Sequence, residues 1–279
     1  MPATRRSVVP AILVSCLIML VDAGPAAAQQ MPTVSPAPAV PEFLQRADFH
    51  VSVDRLIRSL TPQQKLVDQR FSWGSHFGGS FDLVDYVAGR GTVTIDYQAV
   101  MGSEYRPFDL NQGVYFLEAS ISGRASARTE AAVIFHHVSR HISDRPKPFS
   151  VAWNLLGGRL LHQVAAGSTT VDLAVEGGRV VQYSYVDYTW LGEGTLRVRH
   201  QINSHAGLFA LGTGQLFAVD KIIAGRGRQA GGRLEAGIRV KGRGGVMEIF
   251  AGYEKRVDAD PVDRLPQRWG LAGVRLLSR

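Results

Sequence analysis

The chain has 279 residues, a net charge of +7 from 31 Lys and Arg against 24 Asp and Glu, and 45 % hydrophobic residues. That balance excludes a disordered polar chain, and beyond the N-terminus no run of roughly 18 apolar residues offers a membrane-spanning helix. Glycine makes up about 11 % of the chain against a usual ~7 %, without a period of three, which excludes collagen and suggests many turns between strands.

The chain opens on Arg5 and Arg6, continues through an apolar run from Val8 to Val21, and reaches Ala26-Ala27-Ala28 before Gln29. A basic start, an apolar centre and an A-x-A end make residues 1–28 a secretory signal peptide, cut after Ala28. Cys16, the one cysteine, lies inside it, so the exported chain is expected to lack thiols, disulfides and thiolate metal sites. Residues 29–47 begin rich in Pro, Ala and Val and read as a flexible leader. Residues 48–68 read as a short periplasmic segment or a first strand. Phe49, Val51 and Val53 alternate as in a strand, while Val53, Leu56, Ile57 and Leu60 recur at helical spacing, and Pro62 closes the segment.

Residues 69–279 have a period of two. Val93, Ile95, Tyr97, Ala99 and Met101 alternate with Thr92, Thr94, Asp96 and Gln98; Leu234, Ala236, Ile238 and Val240 alternate with Arg233, Glu235, Arg239 and Lys241. Strands with one apolar and one polar face read this way. Expected short turns are Gly89-Arg90-Gly91, Gly123-Arg124, Gly177-Gly178, Gly192-Glu193-Gly194 and Gly242-Arg243-Gly244. Expected longer connections are 102–112, 142–149, 220–230 and 256–267. Many runs reach about ten residues, the length with which a tilted strand crosses a bilayer. Both signs of charge on the polar faces, including Asp96, Glu118, Glu130, Arg197, Arg233 and Glu235, suit pairing across a lumen. Trp153, Tyr183, Tyr185, Tyr188, Trp190, Tyr253 and Trp269 are candidates for interfacial girdles. The expected fold class is therefore all-β, an antiparallel transmembrane β-barrel of about 12 strands, with 14 the other count the length allows.

On the signal segment and residues 70–279 the chain resembles Gram-negative outer-membrane β-barrel proteins, with Trp269-Gly270-Leu271-Ala272-Gly273-Val274 as a final strand. The resemblance implies an outer-membrane location, contact with outer-membrane lipid and lipopolysaccharide, and a monomer. No cofactor is expected. The basic residues are spread over many strands, without a nucleic-acid recognition motif. Arg145, Lys147 and Arg226-Gly227-Arg228 are loop residues that could meet lipopolysaccharide phosphates.

The densest chemistry lies in Phe135-His136-His137-Val138-Ser139-Arg140-His141-Ile142-Ser143-Asp144-Arg145. Strand parity places His137, Ser139 and His141 on the face opposite Glu130, His136 and Arg140, which is the lipid face if the charged side lines the lumen. A neutral histidine beside a serine can take its proton and make it a nucleophile. His137-Val138-Ser139 resembles the H-x-S motif of outer-membrane lipid A deacylases and phospholipases. That resemblance makes His137 the base and Ser139 the nucleophile, with Asn154 on the next strand, or Asp144, as the residue orienting the histidine. The same residues also suit a strand end at headgroup level without any catalysis. A metal held by His137 and His141 with Asp144 would have to bridge about 13 Å of strand, and ranks last. The leading reading is a non-enzymatic barrel with a structural or narrow-channel role. The alternatives are an acyl-ester hydrolase acting on lipid A or phospholipid through His137 and Ser139, and a soluble periplasmic β-sandwich that binds a ligand.

Overall fold

The computed structural model describes residues 31–57, 69–103, 105–143, 149–221 and 225–278. Twelve strands follow in chain order: β1 Glu42–Ile57, β2 Trp73–Asp85, β3 Arg90–Gly102, β4 Asp109–Ser126, β5 Thr129–Ile142, β6 Val151–Ala166, β7 Thr169–Ser184, β8 Tyr188–Gln201, β9 Ala206–Val219, β10 Gln229–Lys241, β11 Val246–Asp260 and β12 Leu265–Leu277. Each pairs antiparallel with its neighbour in sequence, and β12 closes on β1 with Val53 opposite Val274 and Leu56 opposite Leu271. The connections 86–89, 127–128, 167–168, 202–205 and 242–245 turn at the end where β1 begins and β12 finishes. The longer connections, among them 143–150 and 220–228, join strands at the other end.

The alternation decides which face meets which solvent. Ile95, Leu117, Ile121, Val133, Leu156, Val175, Leu216, Ile249 and Val274 are exposed on the outside, all round the barrel. A water-soluble protein does not carry an apolar belt of that extent, whereas a bilayer requires one. Asp54, Asp82, Arg90, Glu130, Arg233, Glu235, Glu248, Glu254 and Arg275 are buried inside. This closed barrel replaces the β-sandwich alternative, in which the apolar faces would pack on one another. The count is 12 strands, and the strand reading of residues 48–57 holds, with β1 starting at Glu42 inside the expected leader.

Three expected turns are strand interior: Gly123-Arg124 lies in β4, Gly177-Gly178 in β7, and Gly192-Glu193-Gly194 in β8. The first real turn after Gly123 is 127–128, and β11 runs on to Asp260, well into the loop expected from 256. Gly157 and Gly178 sit opposite one another. A Cβ at Gly157 would come within 2.4 Å of the Gly177 carbonyl, and one at Gly178 within 2.5 Å of the Leu156 carbonyl. These glycines allow close strand approach rather than chain reversal.

The aromatic girdle is only partly formed. Trp190, Tyr183 and Tyr253 are exposed on the outer face, but Trp153, Tyr188 and Trp269 are buried inside. Trp153 and Tyr188 belong to an internal apolar cluster with Ile134, Val138, Leu155, Leu191, Phe217 and Val257. The lumen is thus polar for part of its height and apolar above.

Residues 31–41 are not a free leader. The Thr33 carbonyl accepts a hydrogen bond from Arg90 Nη2 at 2.7 Å, and the Ser35 carbonyl accepts one from Arg124 Nε at 3.2 Å. Met31 is buried against Leu161 and Ala174. Residues 31–35 lie inside the barrel at the end where the short turns lie. Deleting residues 31–38 removes both charge-assisted hydrogen bonds and the Met31 packing, and should cost about 3 kcal/mol of barrel stability. The temperature at which the unheated, fast-migrating form disappears on a gel should fall. An unchanged midpoint would show that the segment contributes nothing inside the barrel.

Candidate active site on the outer barrel face

β5 carries two chemistries on opposite faces. Glu130, Ile134, His136, Val138 and Arg140 point inward and are buried, while Val133 and Phe135 are exposed outward and His137 and Ser139 are half-buried on that same outer side. The parity read from the sequence therefore holds here. Ser139 lies three residues before the end of β5, beside the 143–150 loop.

The register of β5 on β6 sets His137 directly opposite Asn154 and Ser139 opposite Ala152. The His137 and Asn154 side chains meet, with Nδ1 of the histidine 2.6 Å from Oδ1 of the amide. Asn154 Nδ2 in turn donates to Gln182 Oε1 on β7 at 2.7 Å. With Nδ2 engaged by Gln182, Asn154 Oδ1 faces His137. An oxygen acceptor at Nδ1 fixes the proton there and leaves Nε2 with a free lone pair. Nε2 is then the ring nitrogen that Asn154 does not engage.

Gln182 is the residue that sequence reasoning missed. The β6–β7 register shifts between Asn154 and Leu155, so that Val181 is skipped and Gln182 comes opposite Asn154. Bulges re-aim side chains in this way, and a period-two pattern carries no sign of them. Ser139 Oγ lies 3.4 Å from His141 Nε2 and is not hydrogen-bonded to His137. His141 stacks edge-on to Tyr115, with ring centroids 5.2 Å apart. Asp144, Arg145 and Lys147 lie outside the described residues. Arg226, expected as a free loop cation, is instead held by Asp187 at 2.6 Å and Asp258 at 2.7 Å. No group of His, Cys, Asp and Glu able to hold a metal ion occurs among the described residues.

Outer membrane phospholipase A from Escherichia coli superposes with a TM-score of 0.50, at 12 % identity over 83 % of this chain and 92 % of that one. The chain has the fold of the outer-membrane β-barrels. An asparagine-to-alanine active-site mutant of the same phospholipase gives a TM-score of 0.50 at 12 % identity, over 85 % of this barrel and 91 % of its own chain. The Salmonella typhi outer membrane phospholipase dimer with bound calcium gives 0.49 at 12 % identity, over 84 % and 90 % of the two chains. At this identity the likeness establishes the fold alone. No protein-family model and no curated protein matches the sequence.

Proposed function

We propose that this outer-membrane barrel, exported by its 1–28 signal, is a serine esterase that cleaves acyl esters of the lipids around it. Ser139 is the nucleophile, His137 the base, and Asn154 the positioning residue. The observation that carries this reading is the His137–Asn154 hydrogen bond on the lipid-facing side, braced by Gln182. The asparagine that the phospholipase mutant marks as part of that enzyme's active site supports it.

The chemistry balances on these groups. Ser139 Oγ adds to the ester carbonyl as His137 Nε2 takes its proton. The bond from the carbonyl carbon to the lipid alcohol then breaks, and that alcohol leaves with the proton from His137. Water, activated by the same nitrogen, releases the fatty acid and restores Ser139. The site opens sideways to the bilayer, so phospholipid or lipid A reaches it without leaving the membrane.

The structural or narrow-channel reading has less support. Ion pairs and residues 31–35 occupy the lumen, and a cavity of about 140 Å³ lies among them. A closed, purely structural barrel is the second reading, and the same experiment separates the two. Purified barrel in mixed micelles with phosphatidylethanolamine, or with lipid A, should release fatty acid detectable by mass spectrometry, and a fluorophosphonate should add its mass at Ser139. Asn154→Ala should lower kcat about 10- to 100-fold with little change in KM, because it loosens the base without touching the acyl chain. Absence of both acyl release and the Ser139 adduct would remove the esterase reading.

A further inference from the structure

Inside the barrel, on the far side of the wall from Ser139, three buried polar side chains carry atoms without a hydrogen-bond partner. His136, Trp153 and Gln215 are each at least nine-tenths buried, with exposures of 3, 8 and 9 %. Neither ring nitrogen of His136, nor Trp153 Nε1, nor Gln215 Oε1 has a hydrogen-bond partner. Unpaired buried polar atoms are costly and uncommon, and one cavity of about 140 Å³ is lined by all three residues.

The cavity is lined by three carboxylates, Asp96, Glu176 and Glu193, and three guanidiniums, Arg140, Arg159 and Arg256, but they are not matched one to one. Glu176 and Glu193 stand directly opposite one another on β7 and β8, a like-charge pair that opposes strand association. Arg159 reaches Glu176 Oε2 at 2.6 Å and Glu118 at 2.7 and 2.6 Å, so its guanidinium is shared by two carboxylates. Glu193 has the side-chain amide of Gln215 as its neutral donor and forms no ion pair among the described residues. The lining also includes the aromatic rings of Phe116, Trp153, Tyr188 and Phe217. Tyr188 stands 5.3 Å from Trp153 and 4.7 Å from Phe217.

We propose that the lumen holds a binding site for a small organic ammonium ion with an apolar body. The ammonium donates to Glu193, to Gln215 Oε1 and to the unprotonated nitrogen of His136. The body lies against Trp153, Tyr188 and Phe217, whose ring faces also attract the cation. A bare metal ion fits less well, since it would gain nothing from the aromatic wall and no metal-holding group occurs among the described residues. The site is separated from Ser139 by the barrel wall, so it stands or falls independently of the esterase reading.

The test uses 2-phenylethylammonium as probe and 2-phenylethanol as its uncharged counterpart. Full-length barrel is refolded in detergent with each compound, freed of excess, and weighed by native mass spectrometry. One probe per barrel should be retained, saturably. The alcohol should bind at least roughly tenfold more weakly, and Glu193→Gln should weaken the probe by a similar factor. Ser139→Ala should bind it unchanged. Fast migration of the unheated variant on a gel establishes that it has folded. Should Glu193→Gln fail that check, Gln215→Leu, which sits in no ion pair, decides by the same loss. No retained probe, equal retention of the alcohol, or indifference to the substitutions would overturn the site.

Discussion

Ser139→Ala should reduce acyl release by about 10³-fold or more, to the background of the buffer. No other hydroxyl shares a face with His137 and a base at two-residue spacing on β5, since Ser143 lies beyond the strand end. His137→Ala should give a loss of the same size, and the double variant should lose no more than either alone. That non-additivity is the signature of two groups acting on one proton. His141 supplies the sharper control. Ser139 Oγ is 3.4 Å from His141 Nε2, so His141 is the rival base. The Nδ1 of His137 lies 2.6 Å from an amide oxygen, whereas His141 Nε2 faces the Ser139 hydroxyl, which can donate or accept and fixes no tautomer. His141→Phe keeps a ring against Tyr115 and should retain activity within about threefold, a modest packing change. Rates measured by fatty-acid release on one lipid, with all four variants shown to fold by gel mobility, check the whole set. Loss in His141→Phe with retention in His137→Ala would exchange the roles of the two histidines.

The outward aim of His137 and Ser139 was legible because β5 has an unbroken alternation and its inward face carries Glu130 and Arg140. Closure into 12 strands was legible from the length and number of two-faced runs. Other features were hidden for identifiable reasons. Glycine serves in both turns and tight strand contacts, so Gly177-Gly178 reads as a turn until its partner Gly157 is known. Trp153 and Trp269 occupy inward positions because the lumen has an apolar tier, and an aromatic residue fits either side of such a strand. Residues 31–41 lack any period, and what holds them are backbone carbonyls bonded to Arg90 and Arg124, contacts that no side-chain pattern encodes. Gln182 reaches Asn154 through a bulge, which shifts parity without changing composition.

Arg233→Met should destabilise the barrel by about 3–5 kcal/mol, the usual cost of leaving buried charges without their partner. Arg233 is almost wholly buried and binds Glu235 at 2.6 Å, Glu254 at 2.9 Å and Asp54 at 3.2 Å, joining β10 to β11 and, across the lumen, to β1. Arg275 continues the network from Glu235 at 2.7 Å to Glu248 at 3.0 Å, and Arg256 holds Glu254 at 2.7 Å. With lipid outside, much of the interior of this protein is polar, and these bonds occupy the place that an apolar core has in a soluble domain. The substitution retains volume but leaves Asp54 without the guanidinium bond and places an extra negative charge among Glu235, Glu254 and Glu248. Pairing it with Glu254→Gln removes one of the stranded charges and should recover part of the loss, since neighbours in one network couple by ~0.5–3 kcal/mol. Urea unfolding in detergent, followed by the shift between fast and slow gel forms, measures both. A loss below about 1 kcal/mol for Arg233→Met would mean that water screens the lumen as it screens a protein surface, and that the barrel is held chiefly by its strand ladder and its lipid-facing belt.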